Sequence, residues 1–221
     1  FSMEYDAIYV HYGGSPQAGT DIKKLKVDEI DGIALGPGYF WDLTKDRYNW
    51  QDSYTSMEKL ELYAEKRKFR DTTDAGFPFR YNEPGDDLVP EGGDGAKTVS
   101  LKYPSMSVRY EYDSETGTYK RFRYDKEHME RVSGKQLEAK NIIVLYMRNR
   151  TIEGDREGRQ DMQTTGKGYF ITCGKAYKIK WSKDSRSSQT KYTYENGEPV
   201  VLNRGQTWIQ IMPVNAKVTI E

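Results

Sequence analysis

A histidine, two glycines and a serine stand close together in His11-Tyr12-Gly13-Gly14-Ser15, directly after an apolar run. Where a strand ends in a glycine-rich turn, backbone amides can meet an anion, most readily when a helix follows. Ser15 beside His11 also has the elements of a nucleophile and its base. There is no Gly-x-Ser-x-Gly elbow, however, and no third member can be placed, so a structural turn or an anion contact fits better than hydrolysis. The second histidine, His128, stands among Asp125, Glu127 and Glu130. Two distant histidines and one cysteine give no recognised ligand spacing for zinc. Asp155, Glu157 and Asp161 do not follow the pattern of a calcium loop. No metal and no cofactor is expected. Paired-carboxylate chemistry needs one pair set apart from the rest, and among 34 acidic residues none is.

The third constellation lies between Gly168 and Pro213. Trp181, Lys183, Arg186, Trp208 and Gln210 fall at the ends of strand-like runs there. A sheet face floored by Trp181 or Trp208 and edged by Lys183 and Arg186 would suit an anionic or sugar-like ligand, since arginine offers a two-pronged donor fork. The competing reading is two buried tryptophans beside a solvated loop, the commoner fate of aromatics in strands.

The elements that would carry these residues can be read from periodicity. Tyr5–Val10 is a short apolar run and reads as a buried strand. Gln17–Leu25 follows as a short helix, and Ile30–Leu35 as a second strand. Thr55–Lys68 has the strongest helical pattern, with Thr55 or Ser56 as cap and Met57, Leu60 and Ala64 on one stripe. The order strand, helix, strand, helix suggests an α/β layer. Residues 81–97 are rich in glycine and proline and read as a linker. Beyond them the runs alternate with period two: Thr98–Tyr103, Ser107–Tyr112, Tyr119–Tyr124, Asn141–Met147, Lys167–Cys173, Lys175–Trp181, Thr207–Met212 and Lys217–Ile220. Asn196-Gly197 marks a tight hairpin, because both turn positions need positive φ. Arg148–Arg159 reads as a solvated hairpin loop. The expected fold is α+β: a short, incomplete α/β segment over residues 1–80, a linker over 81–97, and a mostly antiparallel β-rich domain over 98–221.

Composition narrows the function classes. Formal charge is zero, with 34 basic and 34 acidic residues, which argues against broad electrostatic binding to nucleic acid. Mean hydropathy is −0.90, a value that leans towards disorder, but 18 tyrosines and 4 tryptophans fit a folded, β-rich chain with a polar surface. The lone Cys173 rules out an internal disulfide and sits in a strand pattern, as an inert core thiol would. There is no transmembrane run and no signal peptide. The chain opens abruptly on Phe1-Ser2-Met3-Glu4, as if in the middle of an element, so an upstream segment is expected.

Several runs resemble one family. EYDAIYVHYGGSPQA (Glu4–Ala18), YEYDSETGTYKR (Tyr110–Arg121), NIIVLY (Asn141–Tyr146) and IKWSKDSRSSQTKYTYENGEPVVLNRGQTWIQIMP (Ile179–Pro213) are similar to the YerB-type family of bacterial, mostly Gram-positive, cell-envelope lipoproteins. That family is built from a pair of domains of unknown function. The matching motif positions include His11, Ser15, Arg47, Tyr119, Arg121, His128, Asn141, Trp181, Lys183, Gly205 and Trp208. The resemblance implies a lipoprotein signal and further α/β segment upstream, so membrane attachment would come only through a lipid anchor outside this chain. After the Phe-Trp cluster the family carries an Arg-Asp and later a Pro-His-Asn, and here Trp41–Arg47 and Tyr48-Asn49-Trp50 stand in that region.

The resulting expectation is an extracytoplasmic binding or scaffolding module for an envelope glycan, peptide or protein. Trp181, Lys183, Arg186, Trp208 and Gln210 would form its contact surface. The alternative is an envelope-acting hydrolase or phosphoryl transferase, with His11, Ser15, Arg47 and His128 converging on a site at the domain junction. No catalytic constellation is recognised. A third idea is an interaction module that adds a strand at an exposed sheet edge.

Overall fold

The computed structural model describes residues 2–44, 53–148 and 165–221. These fall into two compact units, one of Phe1–Phe77 with Arg186–Ser188, the other of Pro78–Ser185 with Gln189–Glu221. The protein is α+β and rich in strands. Among the described residues no helix is long and apolar enough to cross a membrane.

The first unit contains α1 (Ser2–Tyr5), β1 (Tyr9–His11), α2 (Pro16–Leu25), β2 (Glu29–Asp31), α3 (Gly32–Leu35), β3 (Trp41–Asp42), β4 (Ser53–Tyr54) and α4 (Met57–Arg67). Strands β1 and β2 pair in parallel with Val10 opposite Ile30, and α2 makes the crossover that a parallel pair needs. Pro16 sits at the first helical position and Ser15 caps it, its Oγ accepting the Ala18 N–H at 3.2 Å. Two expectations differ here. The first strand is shorter than Tyr5–Val10 and not buried, with Tyr9 41% and Val10 37% exposed. The second stops at Asp31, because the Asp31 carboxylate accepts the Ile33 N–H at 3.0 Å and turns the chain into α3. α4 begins at its expected cap, Ser56, whose Oγ accepts the Lys59 N–H. Leu60, Tyr63 and Ala64 are partly covered, whereas Met57 and Leu62 are exposed.

The second unit opens with β5 (Arg80–Tyr81) and β6 (Asp94–Gly95), followed by β7 (Thr98–Lys102), β8 (Ser107–Asp113), β9 (Thr118–Arg123), β10 (Lys126–Glu127) and β11 (Glu138–Ala139). Then come β12 (Asn141–Met147), β13 (Thr165–Thr172), β14 (Lys175–Ser182), β15 (Lys191–Tyr194), β16 (Val201–Leu202), β17 (Thr207–Pro213) and β18 (Val218–Ile220). One sheet has the order β10-β9-β8-β7-β18, with β11 against β9; the other has the order β15-β14-β13-β12-β17, with β6 against β14. Both are antiparallel apart from the parallel β12–β17 pair. The two-residue strands β5 and β16 pair in parallel on their own.

Alternation along the strands builds two cores. Ile142, Val144, Ile171 and Met212 join Val99, Leu101, Val108, Tyr110 and Tyr119 of the other sheet in one cluster. Ile143, Leu145, Met147, Phe170, Ile179 and Trp181 form a second cluster on the opposite face. Because both faces of β12 are covered, its sequence is apolar throughout rather than alternating. The β13–β14 turn puts Cys173 at φ 49° and Gly174 at φ 72°, the two positive φ angles that match the twist of a tight hairpin. Cys173 is thus a half-buried turn residue rather than a strand residue, and burial pushes its thiol pKa up. Gly168 lies opposite Leu145, and a Cβ there would fall 2.0 Å from the Val144 carbonyl oxygen. Gly168→Ala is therefore expected to cost about 2 kcal/mol or more in urea unfolding, since only backbone movement relieves the overlap.

Residues 81–97 are tied to the second sheet at several points. Tyr81 pairs with Leu202, and the Asn82 N–H donates to the Leu202 carbonyl at 3.0 Å. Asn203, fully buried, accepts the Leu88 N–H at 2.7 Å and donates to the Leu88 carbonyl at 2.9 Å. Asp94 and Gly95 pair with Ala176 and Lys175.

Candidate binding cleft

Strand β14 is bordered on its outer side by two short partners with a gap between them. β6 covers Lys175 and Ala176, and β15 covers Ile179 to Ser182. Tyr177 and Lys178 lie between, with no strand partner on that side among the described residues. Local chain geometry keeps the gap open. β15 ends where Asn196-Gly197 turns the chain back: the Tyr194 N–H donates to the Glu198 carbonyl at 2.8 Å, and Gly197 has φ 90°. β6 is preceded by Gly92 and Gly93 at φ 75° and 80°, and a Cβ on Gly93 would lie 2.6 Å from the Tyr177 ring. An antiparallel ladder turns alternate residues outward, so the gap presents one N–H and one C=O for pairing.

An open cavity of about 710 Å³ sits at this gap, and its lining includes Glu91, Asp94, Tyr177, Tyr194, Glu195 and Glu198. The Tyr177 and Tyr194 rings meet edge to face, 5.9 Å apart. Tyr177 Oη donates to the Pro90 carbonyl at 2.7 Å. Tyr194 Oη is closed off from solvent without a hydrogen-bond partner among the described residues. Burial foremost, then Tyr177 and Glu198, pushes its pKa up to about 12, so it stays a neutral donor. The four carboxylates are exposed, and none makes an ion pair with a described residue. Aromatic faces beside carboxylates offer a protonated amine both ring quadrupole and charge, and offer a sugar hydroxyl both stacking area and acceptors.

The residues singled out from sequence fall elsewhere. Trp181 is 2% exposed and lies in the second core cluster, opposite Gly166, where a Cβ would come within 2.5 Å of the indole nitrogen. Lys183, two residues on, is also buried. Trp208 faces the other way, against the first cluster, with its Nε1 donating to the Glu138 carbonyl at 3.3 Å. Trp181 and Trp208 thus lie on opposite faces of one sheet and share no surface. Arg186 is exposed and belongs to the short segment grouped with the first unit. His11 and Ser15 are in the first unit. His11 is held by the Gly13 carbonyl and Glu29 Oε2, both at 3.0 Å, and Ser15 caps α2. Arg47 lies outside the described residues, as do residues 149–159 of the expected hairpin loop, with Asp155 and Glu157, and Asp161 after them. Among the described residues no three His, Cys, Asp or Glu side chains gather as a metal site would.

Trp208, Gln210 and His128 do come together, around a residue matched in the family resemblance but given no role there, Arg121. Arg121 is 5% exposed. Its guanidinium lies 4.2 Å over the Trp208 ring; its Nε donates to Tyr110 Oη at 3.1 Å and its Nη1 to His128 Nδ1. Gln210 donates to Tyr110 Oη at 2.7 Å and accepts from Tyr103 Oη at 2.6 Å. No described carboxylate pairs with this arginine, so the aromatic faces and neutral acceptors carry its charge. The network joins β8, β9 and β17 and works as a polar pin between the sheets.

Because an arginine can only donate, His128 Nδ1 is an acceptor and the ring is neutral. Burial first, then the charges of Arg121 and Arg123, hold its pKa below the ordinary 6.5. Between the ordinary value and the lower folded one, the unfolded chain binds more protons, so this contribution to stability is full above the window and is lost as pH falls through it. Melting temperature is expected to drop as pH falls below the ordinary histidine value of 6.5, and more steeply than in His128→Gln, which keeps an acceptor but cannot titrate. Equal slopes would contradict the assignment.

Two family models match this chain. The C-terminal domain of a protein of unknown function, DUF3048, matches residues 99–209, and the N-terminal domain of the same family matches residues 1–70. The candidate lipoprotein YerB of Bacillus subtilis (strain 168) is 25% identical over 215 residues, which cover 96% of this chain and 62% of that protein. The chain therefore spans under two thirds of the length of this curated relative. The crystal structure of YerB protein from Bacillus subtilis superposes with a TM-score of 0.81 over 99% of this chain and 72% of that one, at 22% identity. That likeness shows the fold.

Proposed function

Since the chain belongs to the DUF3048 family, whose members are of unknown function, we propose a role from its own geometry: an extracytoplasmic binding module, tethered through a lipid anchor outside this chain, that holds an envelope peptide or glycan strand in the β14 cleft. The location rests on the similarity to a candidate lipoprotein. The cavity of about 710 Å³, lined by Tyr177, Tyr194 and four carboxylates, carries the binding reading. Its size suits a short segment of chain. Its open sheet edge supplies main-chain hydrogen bonds, and its charge favours ligands bearing protonated amines. The contact surface moves from Trp181, Lys183, Arg186, Trp208 and Gln210 to Glu91, Asp94, Tyr177, Tyr194, Glu195 and Glu198.

Calorimetric titration with soluble cell-wall glycan and peptide fractions tests this. A saturable heat with the native protein, lost in Tyr194→Ala/Glu195→Gln, is expected. No heat with any fraction, or a heat unchanged by these substitutions, would overturn it.

A further inference from the structure

A second cavity adjoins the cleft and has the opposite sign. It holds about 320 Å³, and its lining includes Tyr146, Lys167, Tyr169, Lys178, Lys180 and Glu195. Lys178 and Glu195 line both cavities. Cross-strand register places Lys167 directly opposite Lys180 and Tyr169 opposite Lys178, so three lysines project from one face of the β13–β14 pair. All three are exposed, and none makes an ion pair with a described residue. Like charges directly opposite each other on a sheet, about 5 Å apart at Cβ, destabilise it. The fold itself draws nothing from the arrangement, whereas an anion held between the two ammonium groups would relieve it.

Carboxylates around one cavity and lysines around the next, with the open edge at Tyr177 and Lys178 alongside, define a polarity. We propose that the ligand is a short peptide carrying both a free amine and a free carboxylate. Its ammonium sits among Glu91, Asp94 and Glu198, and its carboxylate between Lys167 and Lys180. The main chain between them passes Tyr177 and Lys178. This rests on the cleft reading above and adds the ligand's second charge and its direction.

The test uses peptides of one lysine followed by one to four alanines, each as the free acid and as the C-terminal amide. They are titrated calorimetrically at low salt into the native protein and into Lys167→Gln/Lys180→Gln. Both lysines are exposed, so a melting temperature no lower than the native protein's will show the variant folded. The free acid of the fitting length is expected to bind about tenfold tighter than its amide, as a charge-assisted contact allows. In the variant the two should bind alike, with the amide's affinity unchanged. If acid and amide bind the native protein equally, the inference fails and the cleft reading stands. If no peptide of either form binds, the inference fails, and the cleft reading stands or falls on the titration with glycan fractions. If inorganic polyphosphate binds through the lysines while the peptides do not, the lysine face serves a polyanion, and the inference is again overturned.

Discussion

Asn203→Ala is expected to lower the free energy of unfolding by about 3 kcal/mol in urea denaturation. Asn203 is fully buried and all its polar atoms are engaged. Its side chain accepts from the Leu88 N–H and donates to the Leu88 carbonyl and to Thr172 Oγ1 at 3.0 Å. Its main chain exchanges hydrogen bonds with Asn141, whose Oδ1 accepts the Asn203 N–H at 3.1 Å and whose Nδ2 donates to the Asn203 carbonyl at 2.7 Å. Truncation removes the partner of both Leu88 main-chain groups, which are partly buried, and a partner of the buried Thr172 hydroxyl, and each buried unpaired group costs about 1–3 kcal/mol. Asn203→Asp keeps the shape but turns a carboxylate oxygen towards the Leu88 carbonyl, so it should be no better tolerated. The same clamp holds the run that carries Glu91 and Asp94, so Asn203→Ala should also weaken ligand binding without touching the ligand. A variant as stable as the native protein would show that Leu88 is held by other contacts.

Neutralising the cleft is the second large effect. The combined variant Glu91→Gln/Asp94→Asn/Glu195→Gln/Glu198→Gln is expected to lose affinity for amine-bearing ligands by on the order of 100-fold at low salt, because charges of one sign add their potentials within a Debye length. At physiological salt the loss should shrink, since all four groups are exposed to screening ions. Stability should barely change, because none of the four is in an ion pair with a described residue and exposed charges contribute little. Titration of the native protein and the variant at two salt concentrations checks both. A loss that ignores salt would mean that shape rather than charge recognises the ligand.

Periodicity carried much of the β unit. The parity of Tyr177, Ile179 and Trp181, and of Ile209 and Ile211 against Trp208 and Gln210, matches the two core clusters. What parity cannot tell is whether a sheet face is covered, and at Trp181 and Trp208 both faces are. A surface floored by tryptophans was therefore legible only as one alternative, and the sandwich geometry places Trp181 and Trp208 in separate cores. The cleft was out of reach for another reason. It arises where Asp94 and Gly95 pair with Ala176 and Lys175, far along the chain, and where β15 stops short at Asn196-Gly197. The hairpin signal was visible, but its consequence for the neighbouring strand edge was not. Glu91 and Asp94 stand in a glycine-rich run whose composition suggests only irregular backbone. Gly92-Gly93 was the available clue, since paired glycines can mark a close approach to a ring. In the first unit the Asp31-Gly32 pair could have signalled the helix start that ends β2, because an aspartate followed by a free N–H two residues on is a cap.

The cleft itself is tested most directly by backbone amide NMR of the isotope-labelled protein titrated with an amine-bearing envelope peptide. Saturable shifts centred on Asp94, Tyr177, Lys178 and Glu195 are expected, with the amides around Trp208 and Arg121 unmoved. Shifts centred on any other surface, or no shifts at millimolar peptide, on the order of the weakest specific binding, would contradict it.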